Sequence, residues 1–144
     1  MPLRIRVNNL GRRKINNKLV RRAASFILRK RGVKNGIIDI TFVQDDRIKE
    51  LNAGYMGRKW PTDVLSFLLE RKKRGNEKRI IGDIYISSEM AYLNAKRFNT
   101  GFRDEIVLYV IHGVLHVLGF GDKTAKEKKK IRLLENKYLG EIKK

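Results

Sequence analysis

Cysteine is absent from the 144-residue chain, which removes disulfide staples, thiolate zinc sites and a cysteine nucleophile together and gives no support to an oxidising compartment. Proline occurs twice and tryptophan once. No stretch is long and apolar enough for a transmembrane helix, so no membrane partner is expected. The opening MPLRIRVNNLGRRK lacks the apolar core of a secretion signal, and the expected location is the cytoplasm. Acidic side chains are scarce: 15 Asp+Glu stand against 34 Lys+Arg, a formal charge of +19 and a pI near 10.5. A field of that sign attracts phosphate backbones, so a nucleic acid is the first partner to expect. A charge-rich, heat-adapted surface accounts for a charged fraction of 34% but not for its imbalance. At 16.8 kDa the chain suits one compact domain spanning residues 1–144, with no room for a second core of ordinary size.

The patterning that is present alternates strand and helix. Leu3, Ile5 and Val7 alternate with Arg4 and Arg6, predicting a strand over 3–7. Ile15, Leu19, Ala23, Phe26 and Ile27 fall at helical spacing within 12–31, before Gly32. Ile38, Ile40 and Phe42 predict a second strand, Asp45-Asp46 a turn or cap, and 47–55 a short helix. Pro61 breaks regular structure, and a third strand follows over 64–69. The segment ERKKRGNEKR at 70–79 holds six basic residues and reads as a loop, either gripping phosphate or forming an exposed hairpin tip, before a fourth strand at 80–87. Helices are predicted over 89–98, 102–118 and 124–138. The middle one is apolar on nearly every side and must lie centrally, and the last opens with Thr124 and Glu127 in capping-box spacing. The expected fold is α+β: a single domain with about four strands in a mixed sheet covered by helices.

Both histidines of the chain sit on the central helix, as His112-Gly113-Val114-Leu115-His116. Four residues is about one helical turn, so the two imidazoles leave one face about one pitch apart, the arrangement that offers two nitrogens to one metal ion. Without a common partner, two polar rings on so apolar a helix would be costly. Gly113 in mid-helix costs roughly 1 kcal/mol relative to Ala, which calls for a close approach of metal, substrate or backbone. Gly119 breaks the helix, and Asp122 follows six residues after His116, where a turn can fold it back as a third ligand; capping the next helix is its other reading. The HExxH metalloprotease pattern needs a Glu where Gly113 stands, so peptide hydrolysis by that mechanism lacks its base. A zinc ion with one open position instead supplies an activated water and a Lewis acid, and phosphodiester hydrolysis suits so basic a chain.

The run His112 to Asp122, HGVLHVLGFGD, closely resembles the HGxLHLxGYDH signature of the YbeY family, metal-dependent endoribonucleases that act as rRNA maturation factors. Leu51-Asn52 with Tyr55, then PTDVLSF at 61–67 and GDIYI at 82–86, resemble three further family segments in the same order. Asp122 takes the place of the family's third histidine, Gly121 that of the preceding Asp, and Met56 that of an arginine after the tyrosine. An Asp ligand retains a site with two nitrogens and one oxygen. The resemblance implies zinc, or another divalent transition metal, held by His112, His116 and Asp122. It further implies single-stranded RNA, rRNA and the ribosome as partners. Arg58, two positions beyond Met56, is the candidate catalytic cation, with Lys59 beside it stabilising phosphate charge. Thr62, Asp63 and Ser66 are candidate substrate contacts, each with a local alternative as turn or strand residue. Asp83 reads as a partner either of a metal histidine or of a basic residue, and Trp60 and Phe120 as base-stacking or packing residues. Two further readings stay open: an iron(II) facial triad, and an RNA- or ribosome-binding protein whose metal is structural.

Overall fold

The computed structural model describes residues 2–56 and 63–143. In chain order its elements are β1 (Arg4–Asn9), α1 (Asn17–Lys30), β2 (Val33–Val43), α2 (Asp45–Met56), β3 (Val64–Arg74), β4 (Glu77–Ser87), α3 (Ser88–Arg97), α4 (Phe102–Val117) and α5 (Ala125–Lys143). The sheet is four-stranded in the order β1-β2-β4-β3. β1 and β4 flank β2 in parallel, and β3 closes the edge antiparallel to β4. Strands interleaved with helices and then followed by helices give the expected mixed sheet and α+β architecture.

Alternation along β2 and β4 sorts the two faces. Ile38, Ile40, Phe42, Ile84 and Ile86 are fully buried on one face, in a core shared with α1 and with Val110, Ile111, Val114 and Leu115 of α4. Burying each of these aliphatic side chains stabilises by roughly 1.5–3 kcal/mol before entropy is counted. The α4 helix thus occupies the central place that its all-round apolar sequence demands. On the other face, Ile48 and Leu51 of α2 cover Val43 and Leu65, with Phe67 and Tyr85 at the margin. Next to this small cluster the sheet is polar. Arg6 of β1 grips Asp39 of β2 with two bonds of 2.5 and 2.8 Å, and Asp83 sits opposite Asp39 in the β2–β4 register.

Several elements differ in extent from the sequence expectation, each for a local reason. Helix α1 begins at Asn17 rather than Arg12, because the Asn16 side chain accepts from the Leu19 N–H at 3.0 Å and caps it there. Arg13 lies outside the helix, pairing with Glu89 at 2.9 Å with its guanidinium 3.4 Å from the Tyr92 ring centroid. The basic segment 70–79 is no loop. β3 runs on to Arg74 and β4 starts at Glu77, with Gly75 at φ 62° in the turn, so most of its charges ride on a paired hairpin exposed on both sides. Helix α5 passes Tyr138 because Ile142 extends its buried stripe and Arg22 of α1 donates to the Ile142 carbonyl at 2.7 Å. Among the described residues no helix is long and apolar enough to cross a membrane.

Candidate metal centre

The site begins with how closely α4 can lie on the sheet. A Cβ on Gly113 would come within 2.6 Å of the Ile84 side chain and 3.2 Å of Val64. The mid-helix glycine is therefore a contact between α4 and the sheet, which answers the close approach its cost required. Ser66 of β3 reinforces that contact, its hydroxyl donating to the Gly113 carbonyl at 2.9 Å. With its inner face pinned in this way, α4 holds His112 and His116 half-buried at the molecular surface.

At the end of α4 the chain reverses in a Schellman turn. The Phe120 N–H bonds to the Leu115 carbonyl and the Gly119 N–H to the His116 carbonyl, both at 3.0 Å, with Gly119 at φ 105° where an L side chain would be strained. This reversal brings Asp122 back beside the imidazoles. Its Oδ2 lies 3.4 Å from His116 Nε2 and 4.0 Å from His112 Nε2. The cap of α5 is made elsewhere: Glu127 N–H donates to the Thr124 hydroxyl at 3.0 Å, and Thr124 N–H to the Glu127 carboxylate at 3.1 Å. The capping box of the sequence is present, and Asp122 is not needed for it.

Three potential donors, His112, His116 and Asp122, offer one ligand atom each within 4.8 Å of one another and could hold a metal ion. The ring nitrogens are prepared for it. His112 Nδ1 lies 2.6 Å from a carboxylate oxygen of Glu135 on α5, so with its N–H donated there the Nε2 lone pair is free. That Nε2 faces the Nε2 of His116 at 2.9 Å. Burial, and then the neighbouring His112, lower the His116 pKa from its ordinary value, against the pull of Asp122, Glu135 and a backbone hydrogen bond with Phe120. A low imidazole pKa keeps a lone pair available at neutral pH. Two imidazole nitrogens and one carboxylate oxygen form a three-donor set of the kind catalytic zinc sites use, leaving a further position for water or substrate.

A cavity of about 370 Å³ opens beside these donors, lined by Asp63, Tyr109, His112, Asp122 and Glu135 among others. Burial raises the Asp63 pKa, opposed by a hydrogen bond from Tyr109 and by His112. The Tyr109 hydroxyl, itself pushed up by burial and then by Asp63, also accepts from the Asn94 side chain of α3. Of the sequence candidates, the fold thus brings together His112, His116, Asp122 and Asp63, while Ser66 is engaged with the α4 backbone. Arg58, Lys59, Trp60 and Thr62 lie outside the described residues.

For two further residues the structure decides between the alternatives. Asp83 points to the sheet face opposite α4, among Arg6 and Asp39, so it is no partner of a metal histidine. Phe120 takes the packing alternative: it lies partly buried against the main core, with Arg31 4.8 Å and Lys130 5.4 Å from its ring centroid. Glu135 and Tyr109 were not singled out by sequence reasoning. Glu135, next to Leu134 and four residues after Ile131, left the signal of an acid at the margin of an apolar stripe.

A sequence model of the family described as Endoribonuclease YbeY matches residues 6–143. The chain belongs to the YbeY family. Among its relatives, an Endoribonuclease YbeY of Persephonella marina is 37% identical over 129 residues, covering 89% of this chain and 84% of that protein. One of Aquifex aeolicus is 32% identical, covering 94% and 89% respectively. A Thermotoga maritima protein with a known solution structure is 30% identical, with a TM-score of 0.64, over 96% of this chain and 88% of that one. Within this YbeY-family fold, the resemblance borne by the HGVLHVLGFGD run coincides with the three-donor cluster.

Proposed function

We propose that residues 1–144 act as one metal-dependent endoribonuclease domain that hydrolyses phosphodiester bonds of single-stranded RNA, in rRNA maturation and ribosome quality control in the cytoplasm. The observation that carries this reading is the convergence of His112, His116 and Asp122 with His112 oriented by Glu135, in a chain whose relatives carry the printed name Endoribonuclease YbeY. Two imidazole nitrogens and a carboxylate suit zinc best, with other divalent transition metals as competitors. When bound, the ion supplies Lewis acidity for charge developing on the phosphate and makes water a stronger acid.

The remaining tasks fall to side chains of this chain. Glu135 holds the His112 ring in one tautomer and orientation. Asp63, beside the donors in the cavity, accepts a hydrogen bond from a ribose hydroxyl or the attacking water, and the Tyr109 hydroxyl fixes its carboxyl group. Arg58 stabilises phosphate charge in place of the family arginine absent at Met56, and Lys59 and Thr62 contact the strand. Ser66 positions α4 through Gly113. The +19 charge speeds encounter with an RNA polyanion and makes binding salt-sensitive.

The test is cleavage of a single-stranded RNA by metal-free protein, by zinc-restored protein and by His116→Ala. Cleavage present only in the zinc-restored sample, leaving a 5′-phosphate and a free 3′-hydroxyl, is expected. Binding without cleavage in every sample leaves a non-catalytic RNA-binding protein. A 2′,3′-cyclic phosphate end means that the RNA's own hydroxyl attacks and refutes water as nucleophile.

A further inference from the structure

The hairpin that the sequence presented as a basic loop has a definite place in the fold. A groove of about 560 Å³ lies where three elements meet: the end of α1 with Lys30 and Arg31, the β3–β4 hairpin with Lys73 and Lys78, and the turn after α4 with Phe120. Lys78 ties the hairpin to α1 by donating to the Arg31 carbonyl at 3.0 Å. Arg31 and Lys130 of α5 rest 4.8 and 5.4 Å from the Phe120 ring centroid, so one aromatic side chain gathers cations from two helices.

Among the described residues no carboxylate lines this groove. The hairpin's Glu70 is paired with Lys72 at 3.1 Å and Arg79 at 3.7 Å, while Lys30, Arg31, Lys73 and Lys130 form no ion pair among the described residues. Like charges gathered without counter-charge repel one another, and a polyanion relieves that repulsion. The groove and the cavity of the metal centre share no lining residue, but the turn after α4 joins them. Phe120 stands two residues before Asp122, and its backbone hydrogen-bonds to the His116 ring.

We propose that this groove is a phosphate track for single-stranded RNA, which guides the strand to the metal centre. The proposal rests on the ribonuclease reading and adds to it where the strand runs. Lysines and an arginine outnumber the one amide, Asn76, along the groove, so backbone contacts dominate and the track holds RNA with little regard to sequence.

Binding of a labelled 12-nucleotide RNA, followed by fluorescence anisotropy in chelator, reads the track separately from cleavage. A triple variant Lys30→Gln, Lys73→Gln, Lys130→Gln is compared with a charge-matched control at exposed positions elsewhere, Lys18→Gln, Arg21→Gln, Lys49→Gln, with folding of both checked by circular dichroism. The track variant is expected to bind about tenfold or more weaker, with its salt slope reduced by about two, as for three lost contacts to a single strand. The control should lose much less. Equal losses in the two variants, no loss in the track variant, or displacement of the strand by adenosine monophosphate as effectively as by unlabelled RNA would overturn the proposal. If the track variant alone loses binding yet zinc-loaded wild type cuts no RNA, the track stands and the ribonuclease reading falls; cleavage with an unimpaired track variant gives the reverse.

Discussion

Glu135 shows how much a single side chain outside the ligand set can decide. A metal histidine binds through one nitrogen only if the other has a partner, and the 2.6 Å contact from Glu135 to His112 Nδ1 supplies it. Glu135→Gln keeps the shape and removes the charge that fixes the tautomer. Zinc affinity of that variant, measured by competition with a chromophoric chelator, should fall about 10- to 100-fold. Unchanged affinity would mean that the ring is held by α4 packing alone. Of this residue scale the sequence displayed the donors but not their supports. His112, His116 and Asp122 share a short run and the spacing of one turn, whereas Glu135 comes from another helix, and Asn94, behind Tyr109, from a third. Such partners are fixed by tertiary packing, which no local spacing encodes.

At the scale of elements, helix–sheet contact is the critical feature. Replacing Gly113 with Ala gains about 1 kcal/mol in helix propensity, but the new methyl meets Ile84 Cγ2 within 2.6 Å. That atom branches directly from the Ile84 Cβ and cannot swing aside, and overpacking a core costs about 1–3 kcal/mol. Gly113→Ala is therefore expected to lower stability in urea unfolding. A variant more stable than wild type would show that α4 is free to lift from the sheet. Elements with a buried face, such as β2, α3 and α4, were legible because burial imposes a period on the sequence. The hairpin ends and the start of α1 were not. From Glu70 to Arg74 both faces of β3 are largely wet, so no alternation marks the strand, and the start of α1 is decided by a single Asn16 cap.

Across the whole molecule, the excess of positive charge leaves few carboxylates, and their placement matters. Asp83 lies on the polar sheet face with its pKa raised by burial and then by Asp39, against the pull of Arg6. A carboxyl group whose folded pKa lies above its unfolded value is a penalty at pH above the folded pKa, and the penalty vanishes below the unfolded one. Asp83→Asn should accordingly melt higher than wild type at pH 7, with the gain gone at pH 3, where both forms are neutral. A gain that persists at pH 3 would assign the effect to packing instead. The fold class was readable from the order of patterned segments, and the polyanion partner from net charge, while the gathering of Lys30, Arg31 and Lys73 along one groove, with Arg31 and Lys130 on Phe120, required the fold. The central claim is that one metal ion, held by His112, His116 and Asp122, drives RNA cleavage. Its most direct measurement is a titration of zinc into metal-free protein with the cleavage rate followed alongside Asp122→Ala. The rate should rise to a plateau at one equivalent per chain and stay at background in the variant; cleavage by the metal-free protein, or an Asp122→Ala curve matching wild type, would contradict it.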